Sequence, residues 1–95
     1  MHYTFRKRIK RVSENNILFF LLQTSKKAMS VVAQNSSSSD ESVELDFTKS
    51  RNILINHPYK KFTIHLPKNS VVFIAHIIPE DLKAEFVPKV TIKTK

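Results

Sequence analysis

Ile17-Leu18-Phe19-Phe20-Leu21-Leu22 is the longest unbroken apolar run in the chain, and the conformation it takes decides the fold. Six residues are too few for a membrane-crossing helix, which needs about 20. Polar Gln23-Thr24-Ser25-Lys26-Lys27 follows at once. Upstream, Phe5, Ile9, Val12 and then Phe19 recur at three- to four-residue steps, broken by Asn16. Leu18, Leu21, Leu22, Met29 and Val32 continue such a face to about residue 33, with Lys26 and Lys27 off it. That spacing predicts an amphipathic helix with a narrow apolar stripe on a cationic surface.

Around this run the charge is uneven. Arg6-Lys7-Arg8-Ile9-Lys10-Arg11 holds five basic residues in six, and residues 1–34 carry a net +6. Residues 35–48 carry −4 and residues 49–95 carry +6, giving +8 overall. A surplus of this size attracts nucleic acid, anionic lipid or acidic protein and says nothing about fold. Arg6, Lys7, Arg8, Lys10 and Arg11 are the expected anion-binding residues, suited to phosphate contacts or to nuclear import. Tyr3, Phe5, Phe19 and Phe20 flank the cluster, where phenylalanines serve packing before base stacking. Lys10-Arg11-Val12-Ser13 resembles a basophilic kinase site at Ser13.

Gln34-Asn35-Ser36-Ser37-Ser38-Ser39-Asp40-Glu41-Ser42 reads as a mobile polar linker, because it offers too little apolar surface to offset ordering. Ser37 and Ser38 each have an acidic residue three positions on, the pattern of acidophilic kinases. Asn35-Ser36-Ser37 also fits the N-glycosylation sequon.

The remainder alternates as strands do. Val43, Leu45 and Phe47 alternate with polar residues, and Ile53-Leu54-Ile55 is a short apolar run before Asn56-His57-Pro58-Tyr59. Phe62, Ile64 and Leu66 alternate with Lys61, Thr63 and His65, and Pro67-Lys68-Asn69-Ser70 reads as a turn into residues 71–78. Pairing Leu66 with Val71 puts Ile64 opposite Phe73 and Phe62 opposite Ala75, a hairpin with matched apolar faces. Val72, Ile74 and Ile78 make the other face apolar too, so a second layer is needed: the segment from Ile17 to Val32, or a dimer partner. Pro79-Glu80-Asp81 suits a short helical turn carrying Leu82 and Phe86. Val90 and Ile92 then mark a final edge strand whose lysines discourage pairing with other chains.

The expected fold class is therefore α+β. A basic amphipathic helical segment (1–34), a Ser/acidic linker (35–42) and a small antiparallel β-rich domain (43–95) with a short helix before its last strand follow in order.

Absences narrow the chemistry. The chain has no Gly, where average usage of about 7% would give roughly six or seven. That excludes the P-loop, the dinucleotide fingerprint, the nucleophile elbow and the EF-hand loop. Turns that need positive φ must then use Asn, Asp or strained residues. With no Cys there is neither a disulfide nor a thiolate metal site. His2, His57, His65 and His76 match no close metal-ligand spacing. Half of the ten serines lie in the linker, four of the eight acids fall in residues 35–48, and no catalytic scaffold emerges.

The functional expectation is a small, non-enzymatic nuclear or cytoplasmic accessory protein, without cofactor, metal or small-molecule substrate. Its basic N-terminus would engage an anionic partner: RNA, DNA or an acidic protein. One alternative is a mitochondrial address or an anchor on an anionic membrane surface, since the N-terminal third is basic and nearly free of acid. Another is an orphan chain with a marginal fold and no defined biochemical activity.

Overall fold

The computed structural model describes residues 2–4, 9–14, 16–25 and 27–94, with side chains described from residue 16 onward except Thr24. Among them are nine strands and no helix. The strands are β1 (His2–Thr4), β2 (Ile9–Glu14), β3 (Ile17–Ser25), β4 (Ala28–Asn35), β5 (Glu41–Asp46), β6 (Leu54–Ile55), β7 (Lys61–Leu66), β8 (Ser70–Ile78) and β9 (Lys89–Thr94). They form two antiparallel sheets, ordered β1-β9-β5-β7 and β2-β3-β4-β8-β6. The expected α+β class is thus corrected to all-β.

The predicted N-terminal helix is absent, for a physical reason. Ile17, Phe19 and Leu21 are buried while Leu18, Phe20 and Leu22 alternate with them, half-buried on the other face. A strand apolar on both faces has neither the period of two nor that of 3.6, and its continuous run mimics a helix. β2, β3 and β4 follow one another as a meander, with Glu14 paired to Ile17 and Ser25 to Ala28. Asn16 takes φ of 64°, the left-handed value that two-residue hairpin loops require. At the second turn the Lys27 N–H donates to Ser25 Oγ at 3.3 Å.

The expected 62–75 hairpin is also corrected. Its two strands lie where alternation placed them, but they do not pair. β7 bonds to β5 with Leu66 opposite Glu41, and β8 bonds to β4 with Asn35 opposite Ser70. The turn through Asn69, at φ 51°, carries the chain from one sheet to the other. Leu66 and Ala75 still enter one core, now from facing layers. No helix forms between Pro79 and Pro88; that stretch is bends and turns, with the Ala84 N–H donating to the Asp81 carbonyl at 3.3 Å. β9 is not an edge either, since it lies between β1 and β5.

The pairings are nested. β1 pairs β9, β4 pairs β8 and β5 pairs β7, while β5 also meets β9 and β6 meets β8. The chain is thus a long antiparallel ribbon wound over itself, the arrangement of a jelly roll. A single short strand, β6, occupies the ribbon's tip, and β2 and β3 extend one sheet. Such architectures host unrelated functions, so the winding alone carries no functional argument.

Both sheets face one core: Phe19, Leu21, Val31 and Ala75 from the larger, Val43, Leu45, Leu66 and Ile92 from the smaller, closed by Phe47 and Ile53. Phe47 stacks on Phe62 with ring centroids 6.2 Å apart, and His57 covers Phe62 at 3.8 Å. The segment expected to be a mobile linker is a hydrogen-bonded connection. Asn35 is fully buried; its Nδ2 donates to the carbonyls of Ser39 and Leu66, each at 3.0 Å. Its Oδ1 accepts from the Ser37 N–H at 3.0 Å and the Ser37 hydroxyl at 2.7 Å.

Candidate interaction face

The segment from Ile17 to Val32 does not cover the strand at 71–78. It lies beside that strand in the same sheet, and among the described residues no second layer covers the sheet's outer face, where Leu18, Phe20, Leu22 and Val32 are half-buried. β3, β4 and β8 contain no Lys, Arg, Asp or Glu. Register aligns the outward residues in rows. Phe20 pairs with Val32 and Val32 with Phe73; Leu18 pairs with Gln34 and Gln34 with Val71. A third row runs from Leu22 through Ser30 to His76, where Ser30 Oγ and His76 Nδ1 meet at 3.0 Å. Val71 is 66% and Phe73 55% exposed, with Ile78 and Leu54 paired and exposed at the far side.

A β-bulge creates this surface. Val31 opposes Ala75 and Val32 opposes Phe73, leaving Ile74 as the extra residue. An inserted residue reverses the parity of a strand. Ala75 and Ile77 therefore point into the core, while Val71 and Phe73, which would share their face in a regular strand, point out. The sequence reading grouped all four on one face and so missed Phe73. Its signal was the apolar character of both sides of residues 71–78, which required a covering partner.

Of the expected anion-binding residues, Arg6, Lys7 and Arg8 lie outside the described residues. Lys10 and Arg11 fall on β2, the edge strand beside β3. Arg11 occupies the register position opposite Phe20, at the end of the Phe20–Val32–Phe73 row, and Lys10 that opposite Leu21. Ser13, also on β2, is opposite Leu18 of β3. Phe19 is fully buried in the core and not on this surface.

The expected kinase acceptors Ser37 and Ser38 sit at one end of the face, where an open cleft of about 550 Å³ is lined by Asn16, Leu18, Ser36, Ser37 and Ser38. The sequon at Asn35 is not presented, because its side-chain amide is buried with both hydrogen-bonding atoms engaged. His65 faces solvent, 3.8 Å from Asp40, and no group of three His, Asp or Glu side chains among the described residues is placed to hold a metal. No described helix is long and apolar enough to cross a membrane. The chain matches no protein-family model, and no curated protein or solved structure is significantly similar to it.

Proposed function

We propose that the protein is a small, non-enzymatic binding module that docks an acidic protein segment with an apolar side onto the outer face of its larger sheet. The observation that carries this reading is the Phe20–Val32–Phe73 row, which ends on β2 at the register position of Arg11. Contiguous apolar surface with a polar rim is where proteins meet other proteins. Burying it is worth about 25 cal/mol per Å² against any apolar partner. Arg11 at the end of that row and the net charge of +8 supply complementarity and steering toward an acidic one.

Protein fits the face better than nucleic acid does. Bases stack on aromatic rings, and this face offers Phe20 and Phe73 with a strand between them; Leu18, Leu22, Val32, Val71 and Ile78 are aliphatic. A removable N-terminal address fits less well. Cleavage near residues 25–35 would carry away β3 with the core side chains Ile17, Phe19 and Leu21.

The test is a photoreactive amino acid at position 73 of the full chain, irradiated in the cell that makes it. The expected adduct is digested by protease, survives nuclease and is lost when Arg11→Glu is added or the salt is raised. An adduct that nuclease removes would transfer the reading to nucleic acid. An adduct at twice the protein's own mass would make the face a self-association surface, and no adduct at all would end the docking reading.

A further inference from the structure

We propose that Ser38 is the phosphoacceptor of an acidophilic serine/threonine kinase, and that its phosphate weakens docking on the adjoining sheet face; the second half rests on the docking reading above. Three serines compete for the role, and the turn separates them. The Ser37 hydroxyl donates to Asn35 Oδ1 at 2.7 Å and lies 2.9 Å from the Ser39 carbonyl, so it is tied into the connection that anchors Asn35. The Ser39 hydroxyl donates to Glu41 Oε1 at 2.9 Å. Ser38 is exposed, and among the described residues its hydroxyl has no hydrogen-bond partner. Asp40 and Glu41 stand two and three positions beyond it, the side on which acidophilic kinases read carboxylates.

The group transfer is balanced by a nucleoside triphosphate. A bond forms between Ser38 Oγ and the γ-phosphorus, the β–γ bridging P–O bond breaks, and the nucleoside diphosphate leaves. The hydroxyl proton passes to the kinase's base.

The position gives the phosphate its effect. Ser38 and Leu18 line the same open cleft, and Leu18 precedes Phe20 on the outer face by two residues, roughly 7 Å along a strand. A phosphoserine adds about −1.5 to −2 charges, felt over a Debye length of about 8 Å at physiological salt. That charge opposes an acidic partner at the Leu18 end of the face, one row from the row that ends at Arg11.

The experiment treats the full-length protein with an acidophilic serine/threonine kinase and ATP and maps the phosphate by fragment mass. One phosphate on Ser38 is expected, abolished by Ser38→Ala and retained in Ser37→Ala. Cross-linking through position 73 should then fall roughly three- to tenfold, the scale of one like-charge contact. Phosphate on Ser37 or Ser39, or none while a peptide of residues 33–44 is labelled, would overturn the assignment. Phosphate on Ser38 with unchanged cross-linking would overturn the regulatory half. If the unmodified protein gives no adduct, docking fails with its regulation, and the mass map still decides the acceptor.

Discussion

Asn16, Asn52 and Asn69 all hold left-handed backbone, the task that a glycine-free chain leaves to asparagine. This was legible in the sequence, because its side chain is among the few that tolerate that region. At Asn69, which turns the chain between sheets, Val should cost about 1–2 kcal/mol, whereas Gly should change stability by less than about 1 kcal/mol; urea midpoints of the two variants check this. Asn35 was read as linker and is instead a buried anchor, with no local signal to distinguish it from its polar neighbours. Asn35→Ala strands the Leu66 carbonyl and should cost about 2–3 kcal/mol, seen in the same titration. Asp46 adds a pH dependence. Its carboxylate accepts hydrogen bonds from the Thr48 hydroxyl and N–H, and with Lys61 and Lys49 nearby its pKa lies below the ordinary 3.8 despite some burial. Folding therefore favours the charged form: the contribution is present above that value and lost as pH falls through the lower, folded-state value. Stability should decline more shallowly at acid pH in Asp46→Asn than in the wild type, as denaturation at a series of pH values will show.

The strand elements divide by how their faces are used. β5, β7 and β9 present one face to the core, and the alternation of Val43 and Leu45, Phe62 and Leu66, and Val90 and Ile92 located all three. β3 and β8 are apolar on both sides, so alternation failed in the first and misassigned faces in the second. Helical spacing could be found in residues 17–32 because two apolar faces satisfy many periods at once. The β-branched and aromatic content of the run, and the asparagine before it, were the evidence for a strand. Adjacent phenylalanines expose the difference. Phe19→Ala should cost about 3–5 kcal/mol, while Phe20→Ala, on the half-buried outer face, should cost no more than about 1.5 kcal/mol and reduce position-73 cross-linking. Equal losses of stability at the two positions would contradict the face assignment. The partner surface was legible only as a need for cover. The bulge at Ile74 that selects Phe73 depends on register between strands some forty residues apart in sequence, roughly the separation of β4 and β8, and nothing local encodes it.

Across the whole molecule, nested pairing brings β1 against β9, with His2 opposite Thr91. A permuted chain, joined through a short Gly/Ser link and opened at the exposed Thr48-Lys49 turn, should keep the fold, because exposed turns tolerate opening. Cooperative melting close to that of the parent would agree, and loss of the transition would mean that the tip of the ribbon must be continuous. Pairing between distant segments also slows folding relative to local hairpins. The same winding has a cost during synthesis. β4 leaves the ribosome well before β8, and at about 5–20 residues per second the interval is roughly 2–7 s. Throughout it the β3-β4 hairpin, apolar on both faces, lacks its neighbour strand β8, and the opposite sheet stays incomplete until β9 follows. Recovery from a fast bacterial host should consequently depend on how that interval is shielded. Slower translation spaces the nascent chains apart and a holding chaperone occupies the hairpin, and either should raise the soluble fraction without any change in the sequence.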